Sequence, residues 1–398
     1  MPAEPVKGNA AEVFTTFLRL GVTSFGGPIA HLGYFRAEFV ERRSWLDERV
    51  FVDIVALSQF LPGPASSQTG FAIGLMRGGY LGGLAAWLGF TTPSAILMLL
   101  FAYSAGGIAS STVGSGVLHG LKLVAVAIVA QAIWGMARTL CPDRVRASIA
   151  VLALILLLVA PGSLSQVSAI VIGGLAGWLF SRDAATAGPD PVAMPVSRGV
   201  AIACLVAFFA LLALSFVSVS SGAIALFDAF YRSGALVFGG GHVVLPLLRD
   251  AVVAPGWTSD NSFLAGYGAA QAVPGPLFTF AAYLGAVATI SAGGVGGAAI
   301  ATVAIFLPGM LILMGTLPFW HALRVRPGAQ SIMRGVNAAV VGLLGAALYN
   351  PVFTSAVLTP VDFAVAATGF VLLVVWQLAP IWVVLLSAAV GGAFVLVT

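Results

Sequence analysis

Two Pro-Gly-Pro triplets interrupt apolar stretches of this chain, Pro62-Gly63-Pro64 and Pro274-Gly275-Pro276, each three residues behind a glutamine, Gln59 or Gln271. Proline removes a backbone donor and clashes with the preceding turn, and glycine adds freedom, so an α-helix stops there. At membrane depth the freed backbone groups must find protein, water or substrate. After Pro64 a new half-helix would begin at Ala65-Ser66-Ser67-Gln68, its free N–H groups and positive dipole end forming an anion site with hydroxyls nearby. The second triplet leads into Leu277-Phe278-Thr279, which is less polar. The plainer alternative is a proline kink, common in membrane helices.

Arg19, Arg232 and Lys122 also lie inside apolar stretches. A guanidinium at the bilayer centre costs at least about 2.5–3.5 kcal/mol, so such a residue is a candidate for substrate contact. Snorkelling from a helix start is the alternative. The strings Phe25-Gly26-Gly27 and Phe238-Gly239-Gly240 would let backbone approach backbone or an ion, or simply pack helices tightly. His31 and His242 follow the two strings and could titrate or donate to an anion, with a solvated loop histidine the plainer reading of His31. Asp53, Asp228 and Asp362 fall at span ends, where solvation or pairing with a helix dipole is the default. The sequence holds no Walker loop, His-Glu-x-x-His or Cys-His cluster, so it reads as neither an enzyme nor an ATP-driven pump, and no cofactor or metal is expected.

The elements that must position these residues are membrane helices. Only 8% of the 398 residues are charged and 60% are hydrophobic, against roughly 25% charged in soluble domains. Too few charges remain to solvate a globular surface, and the basic pI reflects scattered arginines, not a nucleic-acid patch. At about 20 apolar residues per crossing, thirteen spans are expected, near 12–31, 51–76, 80–105, 117–137, 147–160, 164–181, 199–220, 226–247, 262–290, 295–318, 334–350, 361–377 and 379–397. Loop arginines favour a cytoplasmic N-terminus and an outside C-terminus, with Arg36, Arg42, Arg43 and Arg49 assigned to an outside loop.

The chain is also written twice. Phe14, Phe17, Arg19, Gly21, Phe25, Gly26 and Gly27 return 213 residues later as Phe227, Phe230, Arg232, Gly234, Phe238, Gly239 and Gly240. Trp45 and the first triplet return as Trp257 and the second, at a spacing of 212. The expected organisation is a first repeat over 1–182, a polar linker and one extra helix over 183–224, and a second repeat over 225–398. Six spans per copy plus the extra one would turn the second copy upside down, the architecture of many secondary transporters.

Phe25-Gly26-Gly27, Val40, Trp45 and Pro62-Gly63-Pro64, with their copies at Phe238, Trp257 and Pro274, make the chain resemble the chromate ion transporter family, in its long two-domain form. The resemblance implies an inner-membrane protein that exports chromate from the cytoplasm. Sulfate is the close structural analogue, and a sulfate carrier, running inward, is the second reading. The implied partners are the oxyanion, the lipid bilayer and a second copy of the chain, without nucleic acid.

Overall fold

The computed structural model describes residues 8–180, 195–217, 221–290 and 293–397, and every regular element among them is helical. Most of the expected polar linker lies outside the described residues. The first copy runs through α1 (Ala10–Thr23), α2 (Gly27–Arg36) with a π-helical turn to Arg42, α3 (Glu48–Phe60), α4 (Ala65–Ala109), α5 (Thr112–Leu140), α6 (Arg144–Val159) and α7 (Ser163–Phe180). The extra helix is α8 (Arg198–Val217). The second copy holds α9 (Gly222–Ala235), α10 (Val244–Val252), α11 (Asp260–Ala270), α12 (Phe280–Val287), α13 (Gly294–Thr316), α14 (Trp320–Arg324), α15 (Pro327–Ala347), α16 (Thr354–Ala356), α17 (Pro360–Val374) and α18 (Pro380–Val397). Among the described residues five helical stretches are long and apolar enough to cross a membrane, and leucine, isoleucine and phenylalanine cover much of the outer surface. The protein is membrane-embedded and helical.

The expected spans 12–31, 51–76, 226–247 and 262–290 are not single helices. Each divides into two short helices around a break. At 14 residues, α1 is about 21 Å long, short of a hydrocarbon core of about 30 Å. Glycines in left-handed conformations make the breaks: Gly26 and Gly27 at φ 102° and 80°, Gly63 at 120°, Gly239 at 75° and Gly275 at 95°. The Phe-Gly-Gly strings therefore break the chain as fully as the Pro-Gly-Pro triplets do.

After each break the chain returns to the end it came from. Gly8 N–H donates to the Arg77 carbonyl at 3.0 Å, and Arg77 bonds Glu12 at 3.2 Å. Arg43 approaches the same Glu12, and Trp45 lies under both guanidiniums, 5.4 Å from Arg43 and 4.9 Å from Arg77. So the start of α1, the end of the π-helical turn and the end of the first leg of α4 share one site. Arg36, Arg42, Arg43 and Arg49 belong to the N-terminal end, not to the opposite face where loop counting put them. The reason is that a returning half-helix reverses direction, which a count of full crossings misses.

At Gly78 and Gly79 α4 folds back, its two legs touching where a Cβ on Gly74 would lie 2.4 Å from the Gly82 carbonyl. Gly285 and Gly297 do the same between α12 and α13, at 2.2 Å. The remaining long helices are exchanged between copies: α5 packs on α17 and α18, while α15 packs on α6 and α7. Both exchanges run over glycine. Gly116 meets the Gly391 carbonyl, and Gly335 meets Gly173 and Gly177. A Cβ on Gly335 would lie 2.0 Å from the Gly173 carbonyl oxygen. Gly335→Val is expected to separate α15 from α7 and lower stability by about 1–3 kcal/mol, read as a lower midpoint in thermal unfolding of detergent-purified protein.

Candidate functional site

The four breaks meet at the centre, and each triplet is held by the opposite copy. Gly63 N–H donates to the Val237 carbonyl at 2.8 Å, and Gly275 N–H donates to the Ser24 carbonyl at 2.8 Å. Val237 and Ser24 directly precede Phe238 and Phe25, so the two bonds repeat one another at the repeat spacing. Gly63 also faces Gly309 on α13, and Gly275 faces Ser94 on α4, where added Cβ atoms would lie 3.0 Å from Gly309 Cα and 2.9 Å from Ser94 Oγ. Gln68 ties the first junction further, donating from Nε2 to the carbonyls of Pro62 and Gly309, both at 2.9 Å.

The side chains around the two tips differ. On the first copy Ser24, His31, Ser66, Ser67, Gln68 and Thr91 are all buried. His31 is no solvated loop histidine: it lies on α2 and is 1% exposed, with Nδ1 3.4 Å from Ser66 Oγ and its ring edge-on to Phe90. Ser24 Oγ, His31 Nε2, Ser67 Oγ, Gln68 Oε1 and Thr91 Oγ1 have no hydrogen-bond partner. Buried polar atoms are nearly always paired in native structures, so a group of orphans at one break calls for a ligand or water. On the second copy Thr279, the counterpart of Ser67, bonds the Pro276 carbonyl at 2.8 Å, and Phe278 and Phe306 fill the remaining space.

Of the other candidates, Arg232 donates to the Ser215 carbonyl at the end of α8 at 2.6 Å and lies over Phe216. Its repeat mate Arg19 is on the exposed face of α1, because α8 has no counterpart over the first copy. Lys122 bonds Asn261 at 3.1 Å, between α5 and α11. His242 Nδ1 pairs with the Tyr267 hydroxyl at 2.7 Å. Gln59 is exposed, and Gln271 is half-buried with an unpartnered Nε2. Trp257 closes the base of the second copy's hairpins, its carbonyl accepting from Thr289 N–H at 2.9 Å. Only Ser66, Ser67 and Gln68 among the proposed binding side chains lie at the first tip, while Ser24 and Thr91 were missed and His31 was read first as a loop residue. A serine just before a Phe-Gly-Gly break was the available signal.

Of the aspartates, Asp53 departs from expectation. Asp53 is 6% exposed and accepts from Arg324 and from Trp320 Nε1, an inter-copy ion pair joining α3 to α14. Its repeat position is Ala265. Asp362 is 8% exposed, bonded to His119 at 2.7 Å and to the N–H groups opening α17. Asp362 thus caps the start of α17 as a span-end carboxylate should, whereas Asp53 sits in helix packing that a span-end reading does not see.

A membrane protein with two pairs of broken helices meeting at its centre has the architecture of secondary transporters. A chromate transporter family profile matches the chain twice, over residues 11–178 and 224–392. The chain belongs to the chromate transporter family. It is 28% identical over 396 residues to a chromate transport protein of Pseudomonas aeruginosa, covering 98% of this chain and 93% of that one. A probable chromate transport protein of Synechococcus elongatus is 27% identical over 83% of this chain and 82% of its own length. The chromate transport protein of Cupriavidus metallidurans is 26% identical over 83% and 80%. These relatives are transport proteins, not enzymes. No solved structure matches.

Two outcomes follow from the arginine and aspartate placements. Arg232→Leu should lose about 1.5–3 kcal/mol through its charged hydrogen bond, whereas Arg19→Leu should leave the unfolding midpoint unchanged or raised. Asp53→Ala, which strips Arg324 of its buried carboxylate, should cost about 3–5 kcal/mol, read by the same thermal unfolding.

Proposed function

We propose that the protein carries chromate out of the cytoplasm by alternating access, with the anion passing the central junction of broken helices. The observation that carries this reading is the reciprocal pair of bonds, Gly63 to Val237 and Gly275 to Ser24, beside a buried group of unpartnered polar atoms. In this reading the copies are inverted repeats over 1–182 and 225–398, joined by α8. Nine segments cross: the second leg of α4, then α5, α6, α7, α8, α13 with α14, α15, α17 and α18. The four helix pairs around the breaks are re-entrant hairpins, two from each face, which replaces thirteen crossings and keeps the odd parity.

Orientation is supported by charge. On these nine crossings, Arg36, Arg42, Arg43, Arg49, Arg77, Arg138, Arg144, Arg146, Arg198, Arg324, Arg326 and Arg334 fall at the N-terminal end, and Arg249 falls at the other. Positive loops stay in the cytoplasm, so the N-terminus is inside and the C-terminus outside an inner membrane. The short-hairpin arrangement sharpens the asymmetry that full-length spans blurred.

Direction follows from charge as well. Each charge crossing 100 mV is worth about 2.3 kcal/mol, so a dianion leaving an inside-negative cell gains about 4.6 kcal/mol per 100 mV. That is more than three decades of concentration, at about 1.4 kcal/mol each. Export needs no coupling ion, whereas uptake does. Proteoliposomes loaded with labelled chromate should release it on an imposed inside-negative potential without a pH gradient, and sulfate should compete. An absolute requirement for a pH gradient would make the protein a proton-coupled carrier instead.

A further inference from the structure

We infer that the anion is bound by the first copy alone, in a pocket made by Ser24, His31, Ser66 and Ser67, with the His31 imidazole as its central donor. This rests on the oxyanion-transport reading and names the residues of that same site.

Three observations converge. Ser24 Oγ, His31 Nε2 and Ser67 Oγ are buried to 0%, 1% and 4% exposure and lack any partner. Ser24, His31 and Ser66 are neighbours in space: the His31 ring is within hydrogen-bonding reach of the Ser24 backbone, and its Nδ1 is 3.4 Å from Ser66 Oγ. The returning helices α2 and α4 both begin here, so their free N–H groups and positive ends face the same region. An oxyanion offers lone pairs on every oxygen, and a hydroxyl, an imidazole N–H and backbone N–H groups answer them with donors.

The second copy supplies the control within one chain. At the repeat spacings of 213, 212 and 215, Ser24, His31, Ser66 and Thr91 become Val237, Val244, Phe278 and Phe306. Phe278 and Phe306 pack with ring centroids 5.7 Å apart, where the first copy has polar groups. Ser67 becomes Thr279, whose hydroxyl is already bonded to Pro276. Gly275 N–H is taken up by the Ser24 carbonyl. The second tip thus closes the pocket and holds its backbone, and the Gln271 Nε2 is the one unpartnered side-chain nitrogen beside it among the described residues.

The test exchanges residues between copies in the full-length protein. His31→Val and Ser66→Phe copy the second tip into the first, Val244→His does the reverse, and His31→Gln keeps a side-chain N–H. Sulfate binding is measured by titration calorimetry in detergent, and chromate flux in proteoliposomes. His31→Val and Ser66→Phe should raise Kd for sulfate and KM for chromate at least about tenfold, the loss of one charge-assisted bond. His31→Gln should stay within about threefold of wild type, and Val244→His should leave Kd unchanged. If His31→Val fails to fold, Ser24→Ala and Ser67→Ala carry the same expectation. Wild-type affinity in the first-copy variants, with flux intact, overturns the one-sided site and leaves the transport reading standing. A wild-type protein that neither binds nor moves either oxyanion overturns the transport reading itself.

Discussion

A backbone group freed by a broken helix has no water to turn to inside a bilayer. This chain breaks its helices at four places, and the pair of bonds from Gly63 to Val237 and from Gly275 to Ser24 answers that constraint. Each break is satisfied by the other copy, so neither copy is complete alone. The same dependence extends outward. The α5 and α15 helices lie among the other copy's last two helices, and glycines at Gly116, Gly335, Gly173 and Gly391 allow the close crossings. Small residues do this because helix association in lipid relies on packing, without a hydrophobic drive between helices.

Equal backbone roles leave the side chains free to differ, and they do. The first tip carries serines, a histidine and a glutamine, while the second carries valines and phenylalanines. The pairing at Asp53, Arg324 and Trp320 is likewise present once, with Ala265 at the repeated position. At the proposed site a single substrate needs only one set of donors, and the copy without them still supplies its backbone bond. The buried ion pair at the N-terminal end ties α3 to α14 and so links a hairpin of one copy to a crossing helix of the other.

Much of this was legible in residue order. The Pro-Gly-Pro breaks, the duplicated arginine, the position of the extra helix and the polar run Ser66-Ser67-Gln68 behind the first break all follow from residue order. The Phe-Gly-Gly strings were harder, because glycine serves tight packing and chain reversal equally well. Arg19 and Arg232 looked equivalent, yet one is exposed and the other is held by α8, a helix that exists only once. His31 looked solvated because its sequence neighbours include glycines and a proline. It is buried because a returning half-helix carries it inward.

The sequence by itself determined the solvent, the breaks and the duplication, since hydropathy, proline and glycine act within a few residues. Only the tertiary structure decided that the broken helices turn back instead of crossing, and which groups meet at the breaks. The partners of Gly63 and Gly275 lie 174 and 251 residues away along the chain, and no local pattern specifies a contact at that distance. Burial can be read from periodicity, but the identity of a buried group's neighbour is set by how two copies of the same fold interlock.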